Sequence, residues 1–100
     1  MSSAVRFARD MGINRRDFFR ILPTAIGESQ HRIEGSEVHI NPVGGSGSLK
    51  ITLGEESERR LSTLMVLPRM QVDFEFHDTD SGAVQAFMDV FDFYYRRGGG

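Results

Sequence analysis

The sequence contains no cysteine. That excludes disulfides, thiolate catalysis and zinc or iron–sulfur sites built on cysteine, and it fits a reducing compartment, so a cytoplasmic protein is expected. No apolar run approaches the roughly 18–20 residues that span a bilayer, and no membrane partner is expected. Histidine is scarce, with only His31, His39 and His77. There is no internal repeat, and the one low-complexity stretch is Pro42 to Ser48 (PVGGSGS). No sign of charge dominates either. The formal net charge of −2 argues against non-specific nucleic-acid binding by the chain as a whole.

What is present is ordinary for a folded domain. The chain has 100 residues, 39% hydrophobic and 26% charged, which suits a single domain over 1–100 with a modest core. The charges are unevenly spread. Residues 1–20 carry five arginines against Asp10 and Asp17, whereas residues 51–100 hold nine acids against five bases.

The clearest periodicity lies between Leu64 and Tyr95. Met70, Val72, Phe74 and Phe76 alternate with Arg69, Gln71, Asp73 and Glu75, a period of two that predicts a half-buried strand. After the turn His77–Gly82, Val84, Phe87, Met88, Phe91 and Tyr95 recur at helical spacing. Upstream, Asn14 is placed to cap a helix, with Asp17 three residues on and a buried stripe of Phe18, Ile21, Leu22 and Ala25. Pro23 should break or kink that helix before Gly27. Residues 1–12 read as a flexible arm or short helix. Short strands are expected around Ile33, over Val38–Ile40 and over Leu49–Leu53. Gly54–Glu58 reads as an acidic turn and Leu61–Leu67 as a further strand ended or bulged by Pro68. The fold class that follows is α+β: an antiparallel sheet of four to five strands with an N-terminal and a C-terminal helix packed on one face. The other face should carry Glu37, His39, Lys50, Thr52, Arg69, Gln71, Asp73 and Glu75.

Several stretches invite a chemical reading. Asn14–Arg20 (NRRDFFR) resembles the twin-arginine export motif, usually S/T-R-R-x-F-L-K, with Arg15, Arg16 and Phe18 in the family's places and Asn14 and Phe19 as departures. The apolar run after it is short and is interrupted at Glu28, unlike a signal peptide, so the segment is assigned to a capped amphipathic helix. Arg9, Arg16 and Arg20 would form a basic patch if residues 5–22 were one helix, and such a patch could meet phosphate. Asp78–Gly82 opens like a calcium loop, but Gly82, Ala83 and Asp89 stand where a ligand, the turn glycine and the bidentate glutamate belong; helix capping by Thr79 or Asp80 accounts for the same residues. Gly44–Gly47 leads into a strand and lacks the spacing of a phosphate loop, and Ser46 lacks that of a nucleophile elbow. His39 and His77 could meet Asp78 and Asp80 around a metal if their strands paired. The ending Arg96-Arg97-Gly98-Gly99-Gly100 resembles the Gly-Gly tails of ubiquitin-like modifiers and sulfur-carrier proteins, which implies a tail threaded into an activating enzyme. Those families place the tail after a strand of a β-grasp fold; here it follows a helix, and Gly98 suits a helix cap.

Every polar cluster thus has a structural explanation, and no catalytic residue or cofactor is assigned. The last helix keeps one feature over. Val90 and Phe93 fall outside both its apolar and its polar stripes, so they meet either the N-terminal segment through Phe7 or a partner. The function expected is that of a small non-catalytic domain acting through contact with itself or another protein. Val90, Phe93 and Arg97 would form the interface, and a homodimer is one form it could take. The alternatives are a metal-binding protein using His39, His77, Asp78 and Asp80, and a carrier with a functional Gly-Gly tail.

Overall fold

In the computed structural model, which describes residues 4–27 and 29–98, the chain runs β1 (Ala4–Met11), α1 (Arg15–Ile26), β2 (Gln30–Glu34), β3 (Glu37–Val43), β4 (Gly47–Arg60), β5 (Val66–His77) and α2 (Ser81–Gly98). The five strands form one antiparallel sheet in the order β1-β5-β4-β3-β2. Both helices pack on one face, as the α+β reading requires.

The helix-covered face is built from the alternation read in the sequence. Val38, Ile40, Leu49, Ile51, Leu53, Met70, Val72, Phe74 and Phe76 are buried there against Phe18, Leu22 and Ala25 of α1 and Met88, Phe91 and Tyr95 of α2. Phe91 sits at the centre, edge-on to Phe74 at 5.2 Å and stacked on Tyr95 at 4.2 Å. The Tyr95 hydroxyl donates to the Phe18 carbonyl at 2.7 Å, tying the two helices together. The open face carries the polar residues of the same strands. One row crosses all five: Arg32, His39, Lys50, Glu75 and Arg6 lie side by side in register.

Four local expectations are corrected. Residues 4–11 are neither arm nor helix but the edge strand β1, paired to β5 with Phe7 opposite Phe74. Its alternation puts Phe7 and Arg9 on the helix side and Arg6 and Asp10 on the open side, where they meet Glu75 and Arg69. The single helix over 5–22 therefore does not form, and Arg9 is separated from Arg16 and Arg20. Of the break or kink expected at Pro23, the break does not occur: α1 begins at the Asn14 cap (Asp17 N–H to Asn14 Oδ1, 2.8 Å) and runs through Pro23 to Ile26. Gly54–Glu58 is not a turn but part of β4, and Leu61–Met65 is not a strand but the turn joining β4 to β5. Past the Glu56↔Met70 pair no core lies against the strands, so nothing there enforces an apolar alternation.

Candidate contact surfaces and the polar face

The last helix begins in a tightly fitted corner. Asp80 Oδ1 accepts the Ala83 N–H at 2.7 Å, which makes Asp80 the cap. Buried Thr79 donates its hydroxyl to the His77 carbonyl at 2.8 Å. A Cβ on Gly47 would stand 2.0 Å from the Thr79 hydroxyl and 2.8 Å from the Asp78 carbonyl, so the glycine lets the β3–β4 hairpin touch this loop. The segment that opens like a calcium loop is spent on starting a helix.

From that start α2 turns one face inward and leaves a second apolar strip outside. Val84, Phe87, Met88, Phe91 and Tyr95 face the core. Val90 and Phe93 are 48% and 51% exposed, and Tyr94, in edge contact with Phe93 at 5.2 Å, is also exposed. Phe7 does not cover them, because it stacks on Phe74 at 5.1 Å beneath the helix layer. Asp92 pairs with Arg9 of β1, which pins α2 to the sheet edge. The side chain of Arg97 and the glycines Gly99 and Gly100 lie outside the described residues.

A second apolar surface was not anticipated. β1 stops at Met11, opposite Met70, and the β3 pairing begins at Glu37, opposite Thr52. Beyond those points β4 and β5 continue as a two-stranded arm through Glu56↔Met70 to Arg60↔Val66. Its tip exposes Leu61, Leu64, Met65, Val66 and Leu67, with Leu64 96% accessible. One signal was available: Leu61–Pro68 is an uncharged run with Arg60 and Arg69 at its ends and no alternation.

The open face holds a row of titratable groups. A depression of about 830 Å³ there is lined by Gln30, Arg32, His39, Ser48, Lys50 and His77 among others. Four of its side chains are already matched. Arg32 pairs with Glu34 at 2.7 Å, Lys50 lies 3.7 Å from Glu75, His39 lies 3.2 Å from Glu37, and His77 hydrogen-bonds Glu75 at 2.5 Å. The His77 bond, with help from Arg6 and Lys50, holds the Glu75 carboxyl below its ordinary value against the opposing effect of desolvation. Among the described residues the one group of three or more His and acid side chains with ligand atoms within 4.8 Å is Glu34, Glu37 and His39. It takes in His39 but neither His77, Asp78 nor Asp80. His77 is turned to Glu75 and Asp80 to the α2 backbone, so the four residues considered for a metal do not come together. Arg16 and Arg20 share α1, with Arg20 paired to Asp17, while Arg9 pairs with Asp92 on the other side of the layer.

The molecule is thus a small α+β sheet-and-helix domain whose exposed apolar side chains gather on the outer side of α2 and at the β4–β5 tip. Among the described residues no helix is long and apolar enough to cross a membrane. Comparison with protein-family models, with curated proteins and with solved structures finds no match.

Proposed function

We propose that this chain is a small non-catalytic contact module, working through the outer strip of α2 formed by Val90, Phe93 and Tyr94. The observation that carries the reading is the half-exposure of Phe93 next to Val90 on a helix whose inner face is already filled. A continuous apolar strip on a polar surface marks an interaction site. Three of the four residues weighed for a metal are engaged elsewhere: His39 lies against Glu37, His77 against Glu75, and Asp80 caps α2. The cysteine-free sequence suits a reducing, cytoplasmic setting.

Light scattering tests the reading. The mass of the chain is expected to rise with concentration, and Phe93→Glu is expected to weaken association by on the order of 10-fold or more, as an apolar anchor becomes a buried charge. The site is on the surface, so the variant should keep the wild-type thermal midpoint at dilutions where both are monomers. Stabilisation of the chain by a divalent ion, abolished by His77→Ala, would instead favour the metal reading.

A further inference from the structure

The β4–β5 arm lacks everything that stabilises a strand pair elsewhere in the sheet. Past Ser57↔Arg69 neither strand has an outer neighbour. The helix layer also stops at its base, where the Arg15 N–H reaches Glu56 Oε1 at 2.5 Å. A two-stranded ribbon is marginal in water, and its open edges invite pairing. Yet the tip is built for apolar surroundings. The Leu61 and Ser62 N–H groups both donate to the Met65 carbonyl, and the Leu64 and Met65 N–H groups both donate to Ser62 Oγ. Burying Leu64 therefore strands none of these four donors.

We propose that the arm is a dimerisation arm whose seat is the α2 strip of a second copy. This rests on the reading of α2 as a contact surface. The strip and the arm lie at the same end of the molecule: α2 runs back along β5, so that Tyr95 and Arg96 flank Met11–Ile13 beside the arm's base. Because the helix layer ends there, the arm overhangs a notch about one helix diameter deep, roughly 10 Å. A two-fold axis across this end sets each α2 end into the other copy's notch, and each tip onto the other's Val90, Phe93 and Tyr94. The contact is reciprocal and closes at two copies.

Charge and area agree with this occupant. Register and the buried Met70 put Glu56, Glu58 and Arg60 on the notch side of the arm, a net negative charge. The helix ends that would enter the notch carry Arg16 and Arg96. Fully covered, the exposed tip and strip residues would bury at most roughly 700 Å² per copy, and the notch contact of stem and helix ends brings this toward the ~800 Å² per partner of a standard interface. On the stem Glu55, Glu56 and Glu58 are balanced by Arg59, Arg60 and Arg69, which leaves the arm no net charge to draw it to an anionic lipid surface.

The test uses the whole chain and two surface variants. Light scattering is expected to give twice the 11.3 kDa protomer mass at high concentration, with Leu64→Asp and Phe93→Glu each raising the dissociation constant at least 10-fold. Since the chain has no thiol of its own, oxidation of a Leu64→Cys and Phe93→Cys mixture should give a covalent heterodimer faster than either variant gives a homodimer. Loss of the dimer in Phe93→Glu but not in Leu64→Asp overturns the arm while leaving the α2 reading in place. Loss in Leu64→Asp alone, or faster Leu64→Cys self-crosslinking, makes the contact tip to tip and overturns the seat on α2. A monomer at every concentration, or a dimer indifferent to both variants, overturns both readings. A monomer that binds phosphatidylserine vesicles through Leu64 assigns the tip to a lipid surface and overturns the second-copy occupant.

Discussion

Gly47 illustrates how a residue with no side chain can be the least replaceable in its neighbourhood. It stands where the β3–β4 hairpin meets the loop that caps α2, and a methyl group there would collide with the Thr79 hydroxyl and with two backbone carbonyls, Asp78 and Val43. Backbone cannot be pushed aside as a flexible side chain can. Gly47→Ala is therefore expected to cost about 2 kcal/mol or more, in the range of overpacked sites. Gly45 is the control. It has φ 94° but open space around its Cβ direction, so Gly45→Ala should cost only backbone strain, about 1 kcal/mol. Urea denaturation of the two variants separates the effects, and equal losses would contradict the packing account.

At the scale of elements, legibility followed burial. β5, α1 and α2 could be read because each has one face against the core: Phe74 and Phe76, Phe18 and Leu22, Phe91 and Tyr95 repeat at the period their backbone imposes. β1 was misread because the helix-facing row of this edge strand includes Arg9, a charge that reaches Asp92 and so interrupts the apolar alternation. Val5, Ala8 and Met11 then fall at helical spacing by coincidence. The arm was misread for the complementary reason. With water on both sides, Glu56–Arg60 has no buried row to repeat, and a polar run next to a glycine looks like a turn. Of the interface residues, Val90 and Phe93 were legible as misfits on a helical wheel. Tyr94 and the tip were not, since their exposure depends on where the helix layer stops. The same unevenness should be measurable. In dilute solution the amides of Arg59 and Leu67 are expected to exchange with solvent by local opening, insensitive to mild denaturant. Those of Val72 and Phe74, inside five strands, should exchange only on global unfolding. Equal protection in arm and core would mean the arm is covered in the monomer.

For the molecule as a whole, one proton links alkaline pH to stability. Burial pushes the Tyr95 hydroxyl above its ordinary value of 10.0, while its hydrogen bond to Phe18 holds the helices together. The folded state keeps this proton more tightly than the unfolded chain does. Its stabilising contribution is therefore complete below about pH 10 and falls away as pH rises beyond it. Tyr95→Phe should lose about 1 kcal/mol at pH 7 with the hydrogen bond, and its stability should decline less than that of the parent between pH 9 and pH 11. Denaturant titrations at those pH values check the slope; parallel declines would place the alkaline transition elsewhere.

The pairing of the first strand with the last carries a consequence for how the chain comes into being. β2, β3 and β4 can zip together as neighbours while synthesis continues, but β1 has no berth until β5 has emerged, because β5 alone adjoins it. During synthesis β1 thus waits as an unmated ribbon until β5 has followed it out. Phe7 finds shelter only when Phe74 and Phe76 leave the ribosome.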